Sequence, residues 1–150
     1  ICGEIQLEDQ IYKNNMLRKI TDANLEKRIL FLGKKPFEDL PKLFQGMSVV
    51  AALSRNEGYG LTPLEGMASG AAVLTSSEGV WDELVRDGID GYVVKTNDVF
   101  QTSERLNTLI ENSSKTKIMG ENAAKYTTEN FSVEKEAEQI IQHIRYVQNI

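Results

Sequence analysis

The sequence has 150 residues, 41% hydrophobic and 26% charged, enough for one domain whose core buries roughly 70% of the unfolded chain's surface. That composition argues against a disordered or fibrous chain, and a formal charge of -5 argues against the basic face of a nucleic-acid-binding domain. The lone cysteine, Cys2, excludes an internal disulfide and fits a reducing compartment such as the cytosol. No apolar run approaches the ~20 residues of a membrane-spanning helix, and no signal-peptide pattern opens the chain.

Short apolar runs alternate with amphipathic stretches, the pattern of a parallel sheet flanked by crossover helices. Ile1 to Ile5 reads as the tail of a strand, so the chain reads as a fragment of a longer protein. Glu8 to Thr21 carries Ile11, Tyr12, Leu17 and Ile20 at roughly helical spacing. Arg28 to Leu32 (RILFL) is a compact strand that closes on Gly33, and Pro36 to Gln45 places Phe37, Leu40, Leu43 and Phe44 on one helical face. Met47 to Leu53 is apolar almost throughout, as expected of a central strand covered on both faces.

The polar turn Ser54 to Gly60 leads into a helix from about Pro63 to Ser69 and a strand from Ala71 to Thr75. A short helix from Val80 to Arg86, the turn Asp87-Gly88 and the strand Gly91 to Lys95 complete the alternation. Beyond Phe100 the pattern is helical, in segments marked by Leu106, Leu109 and Ile110, then Ile118 to Tyr126, then Val133 to Val147, with Ser132 capping the last. The expected fold is a Rossmann-like, doubly wound α/β sheet with helices on both faces and extra helices at the end.

The informative stretch is Ser54 to Gly70, SRNEGYGLTPLEGMASG, where a strand hands over to its helix. Ligands of open α/β sheets bind beyond the carboxyl ends of the strands. Gly58 and Gly60 let the backbone approach a ligand, and the free N–H groups at the start of the next helix favour anions. Glu57 precedes the turn and Glu65 lies one helical turn beyond it, so two carboxylates can take hydroxyls at opposite ends of a ligand whose phosphates lie between. A nucleotide sugar has that form. Each feature also has a plain structural reading. Thr62-Pro63-Leu64-Glu65 is a capping box, Glu57 alone is a solvated loop residue, and paired glycines alone make a turn.

This stretch resembles the signature of retaining glycosyltransferases of family 4, enzymes of the GT-B fold, with Glu57 and Glu65 at the required spacing. FLGKKPFEDLPKLF, MSVVAALSRNEGYG, GMASGAAVLTS and ELVRDGIDGYVV extend the likeness over about residues 1 to 100. The resemblance implies that residues 1 to 150 form the donor-binding C-terminal domain of a two-domain enzyme whose N-terminal acceptor domain is absent. It implies that Glu57 is the catalytic-site carboxylate at the donor sugar and that Glu65 binds the ribose. Gly58, Tyr59, Gly60 and Leu61 would line the diphosphate, with the base near Phe31 and Gly33.

The Arg and Lys that neutralise the diphosphate in the family normally precede the first strand seen here. Arg55 and Lys34 are the nearby cations, and neither is assigned that role. Glu78-Gly79-Val80-Trp81 departs from the family's glycine-rich pattern. No metal site or other cofactor is expected, since the sole histidine, His143, stands far along the chain from any acidic cluster.

Gly60 to Gly70 most resembles bacterial lipopolysaccharide-core mannosyltransferases, which implies GDP-mannose as donor and a glycolipid acceptor, with a cytoplasmic enzyme at the inner face of the membrane. The fragment alone would be inactive. A nicotinamide dehydrogenase lacks its glycine fingerprint here and a P-loop enzyme lacks its Gly-Lys-Ser/Thr run. A nucleotide-sugar epimerase or phosphorylase on the same scaffold, or a non-catalytic nucleotide-binding domain, remain the competing readings.

Overall fold

The structure is a computed structural model that describes residues 1–3 and 9–148. Its chain forms two compact units, Ile1–Leu40 and Pro41–Ile150. Glu4, Ile5 and Glu8, which belong to the expected first strand and helix, lie outside the described residues.

In the first unit, α1 spans Gln10–Asp22 and buries only Ile20. Ile11, Tyr12 and Leu17 are exposed instead of sharing its inner face. Ile11 and Ile20 stand about two and a half helical turns apart, hence on opposite sides. Asn24, with φ 55, ends the helix, and the next N–H, of Leu25, donates to Ile20 O at 3.0 Å.

The expected strand Arg28 to Leu32 does not form. The N–H groups of Arg28 and Ile29 both donate to Leu25 O, which bends the segment into a turn. Among the described residues its pairing is one parallel bridge, Cys2 with Gly33, flanked by Leu32 N–H to Ile1 O at 2.8 Å and Gly3 N–H to Gly33 O at 3.1 Å. The expected helix from Pro36 is also divided. A 3₁₀ turn, Phe37–Asp39, precedes α2, Leu40–Gln45. Pro41 has no N–H to return to Phe37 O, so the α-helical ladder starts only at Leu40, and Phe37 stays exposed while Phe44 is buried.

The second unit holds a parallel three-stranded sheet in the order β1 (Val49–Ala52), β2 (Ala72–Ser76), β3 (Gly91–Val94). The crossovers are α3 (Thr62–Ala68) and the short α4 (Trp81–Leu84), and α5 (Val99–Glu111), α6 (Ser113–Asn130) and α7 (Val133–Gln148) follow. The expected central strand proves to be an edge of this sheet: Ala51 is exposed and only Val50 is buried. It is β2, paired on both sides, whose five residues are all buried.

Alternation along β2 sorts the core. Ala72 and Leu74 join Tyr92, Val94, Leu109 and Met119 beneath α5 and α6. On the opposite face Val50 meets α3, where a Cβ added to Gly66 would stand 2.9 Å from Val50 Cβ. Helices therefore cover both faces, as a doubly wound α/β fold requires. The turn before β3 is locked by Asp90, whose fully buried carboxylate accepts from Arg86 Nε at 2.7 Å, Nη2 at 2.6 Å and the backbone N–H at 3.2 Å. That hydrogen-bonded carboxylate raises the Arg86 guanidinium above its ordinary value. Caps at Asp98, Asn112 and Ser132 start α5, α6 and α7, the last as expected from sequence. Among the described residues no helix is long and apolar enough to cross a membrane.

Candidate functional site

The loop from Leu53 to Leu61 leaves the carboxyl end of β1 and enters α3, and it is anchored to the central strand. Ser76, the last residue of β2, is 2% exposed and donates its hydroxyl to Ser54 O at 2.6 Å. The Ser54 hydroxyl in turn donates to Glu57 Oε2 at 3.0 Å. Glu57 is half-buried, and its carboxylate lies against Gly60: a Cβ there would stand 2.6 Å from Glu57 Cδ and 2.8 Å from each oxygen. Gly60 has φ +34 besides, so both space and backbone demand glycine. Among the described residues no protein donor bonds Oε1, which leaves it to accept from a ligand hydroxyl.

The loop after β2 presses on the same turn. A Cβ on Gly79, at φ +68, would stand 2.5 Å from Gly58 O and 2.8 Å from Glu57 O. Gly58 itself has open space around its Cα and no positive φ. Tyr59 is half-exposed, its ring 6.4 Å from that of Trp81 at 48°. Trp81 is buried, so the position that departs from the family pattern belongs to the core. Leu61 is exposed at the N-cap of α3.

Glu65 is the fourth residue of α3 and half-buried. The capping box expected at Thr62 to Glu65 is not made. Leu61 is the N-cap, no side chain caps the helix, and Thr62 is already helical. Among the described residues the Glu65 carboxylate has no partner. Its structural reading therefore loses its main support.

In the first unit, Phe31 and Gly33 line a cleft of about 530 Å³ with Ile1, Cys2, Gly3, Lys13 and Lys34. Gly33 has φ 65, and its carbonyl accepts from Cys2 Sγ at 3.4 Å. Arg55 is exposed, as is His143 on α7. Among the described residues no three His, Cys, Asp or Glu side chains gather as metal ligands would. A cleft of about 640 Å³ lined by Met47, Ser48, Gly70 and Lys117 opens at the amino ends of β1 and β2, the end of a parallel sheet away from its ligands.

Sequence reasoning missed Ser54, Ser76 and Gly79. Ser54 stands three residues before Glu57, a spacing that serine hydroxyls use for local turns, so a signal was present. The tie from Ser76 spans 22 residues, and nothing local marks it.

The sequence profile of the glycosyl transferases group 1 family matches residues 1–126. The lipopolysaccharide core biosynthesis mannosyltransferase LpcC of Rhizobium leguminosarum bv. viciae is 35% identical over 140 residues, which are 93% of this chain and 39% of that protein. Among solved structures, HepE of Anabaena in complex with UDP superposes with a TM-score of 0.86 at 28% identity, over 97% of this chain and 40% of that one. The C-terminal domain of the group 1 protein LpcC of Francisella tularensis superposes with a TM-score of 0.80 at 29% identity, over 85% of this chain and 66% of that one. The chain thus spans about two fifths of the full-length relatives it matches. A parallel sheet with a carboxylate-bearing glycine turn at its carboxyl end agrees with that match, the structural neighbours are GT-B glycosyltransferases, and the chain belongs to the glycosyl transferases group 1 family.

Proposed function

We propose that this chain is the donor-binding C-terminal domain of a two-domain retaining glycosyltransferase of family 4, acting with an N-terminal acceptor domain. The observation that carries the reading is the Glu57 carboxylate, fixed through Oε2 above Gly60 with Oε1 uncommitted. In this role Glu57 accepts hydroxyls of the transferred sugar and orients it, without the need for a covalent intermediate. Glu65, whose carboxylate has no partner among the described residues, takes the ribose. The backbone from Gly58 to Leu61 lines the diphosphate.

The bond from the sugar's anomeric carbon to the phosphate oxygen breaks, and the nucleoside diphosphate departs with the electron pair. The acceptor hydroxyl bonds to that carbon from the same face while the departing phosphate takes its proton. Electrostatic stabilisation of that phosphate is the largest contribution. The donor is the substrate and no metal or other cofactor takes part. The isolated chain binds the donor and does not transfer the sugar.

GDP-mannose is the proposed donor and lipopolysaccharide core the proposed acceptor, at the cytoplasmic face of the inner membrane. The likeness to a lipopolysaccharide core mannosyltransferase supports this. A second reading, a UDP-glucose donor, is favoured by HepE, whose solved complexes include UDP-glucose. Melting the full-length protein with GDP-mannose, UDP-glucose and ADP-glucose separates them. A donor at 100 times its dissociation constant adds about 2.7 kcal/mol of stability. A shift with GDP-mannose alone is expected, a shift with UDP-glucose alone would move the assignment to uridine, and no shift with any donor would sink the reading.

A further inference from the structure

We propose that Ser54, itself held by Ser76, is a positioning residue that sets the orientation of the Glu57 carboxylate during sugar transfer. The inference rests on the reading of Glu57 as the carboxylate at the donor sugar. Ser76 closes a strand buried along its whole length, so its hydroxyl is a fixed point of the fold. Its 2.6 Å bond to Ser54 O fixes the backbone where the loop begins, and the 3.0 Å bond from Ser54 Oγ carries that position to Glu57 Oε2.

The close approach to Gly60 limits where the carboxylate can go without choosing a rotamer, and among the described residues the Ser54 hydroxyl is the donor bonded to it. Glutamate has three side-chain torsions, and its terminal one is broad. A carboxylate that must meet hydroxyls in one geometry therefore needs a donor on its far oxygen. The Ser54 bond supplies it while leaving Oε1 to the substrate.

A hydrogen bond to a charged group is worth about 1.5–3 kcal/mol, or roughly ten- to hundredfold in rate when realised in the transition state. Steady-state kinetics of the full-length enzyme test the inference, with Glu57→Ala assayed beside Ser54→Ala. Ser54→Ala should lower kcat about tenfold or more and leave the donor KM within about threefold. Ser54→Thr should recover most of the loss. In a double-mutant cycle, Ser54→Ala should add nothing once Glu57 is alanine. Normal kcat in Ser54→Ala beside a crippled Glu57→Ala would overturn the positioning role alone. A loss that persists undiminished in the Glu57→Ala background would also overturn it, as a merely structural effect. Normal turnover in Glu57→Ala would instead overturn the underlying reading of the site.

Discussion

An alanine at position 60 would bring its Cβ to 2.6 Å from Glu57 Cδ, closer than carbon atoms approach, at a φ of +34 that L residues rarely adopt. Either the loop or the carboxylate must move, and the carboxylate is the freer of the two. The left-handed backbone costs about 1–2 kcal/mol, so Gly60→Ala should lower the thermal stability of the chain modestly. If Glu57 orients the sugar as proposed, transfer by the full-length protein should fall disproportionately, by about tenfold or more, because a displaced positioning group costs far more in rate than in stability. Gly58→Ala is the stability control: with open space and ordinary φ, it should change stability by less than about 0.5 kcal/mol. Equal melting temperatures for the two variants would show that the crowding at Gly60 relaxes. That Glu57 stands beside a glycine turn was legible because both lie within four positions of the chain. The packing of its carboxylate against Gly60 was not, since the glycines read only as places for a ligand to approach. The support from Ser76 and Gly79 was not, because those residues reach the turn from another strand end.

At the scale of elements, sequence pattern located β2, β3 and α7 within a residue or two, since each is apolar or periodic enough to declare itself. For α6 it found only the middle, Ile118 to Tyr126, because the polar turns at both ends carry no apolar period. It failed where periodicity is shared by competing structures. RILFL is apolar enough for a strand, yet the turn at Leu25 takes its first N–H groups. Thr62 to Glu65 spells a capping box, yet the helix starts one residue too early to use it.

Arg86 and Asp90 were also silent in sequence, read only as residues flanking a turn. They nevertheless tie α4 to β3, and the guanidinium also stacks 4.1 Å above the Tyr126 ring on α6. Arg86→Ala would leave the fully buried Asp90 carboxylate with neither of its side-chain donors. Breaking a buried pair costs about 3–5 kcal/mol. The low end applies because Arg86 is 41% exposed and water can reach the vacated place. Urea unfolding should therefore show a loss of about 3 kcal/mol, and a loss below about 1 kcal/mol would mean that solvent replaces the guanidinium. Because Asp90 raises an arginine that is charged at any working pH, its stabilisation is lost only as pH climbs past that raised value. Arg86 itself adds no slope to stability near neutrality.

Across the whole chain, the alternation of strand and helix announced the α/β class, but the division into units near Leu40 left no compositional mark. The weight of the second unit lies in its sheet and in α3, α5 and α6, which supply Met67, Leu109, Met119 and Ala123 to the buried set. Helix α7 differs in kind. Val133, Ala137, Ile140, Ile144 and Val147 recur at intervals of three and four along it, an apolar stripe, yet no residue of α7 is buried. A helix of that length with its apolar face in water is marginal on its own, so it contributes little to the stability of the isolated chain. Ending the chain after Ser132 keeps the edge-on contact of Phe131 with Tyr126, 5.6 Å between centroids, and should leave the melting temperature within about 2 °C of the 150-residue chain. Ending it after Glu111 removes α6, and with it Met119, Ala123 and the close crossing of Gly120 over Gly70, and should abolish cooperative melting. A large drop from the shorter deletion alone would show that α7 packs against its own chain in solution.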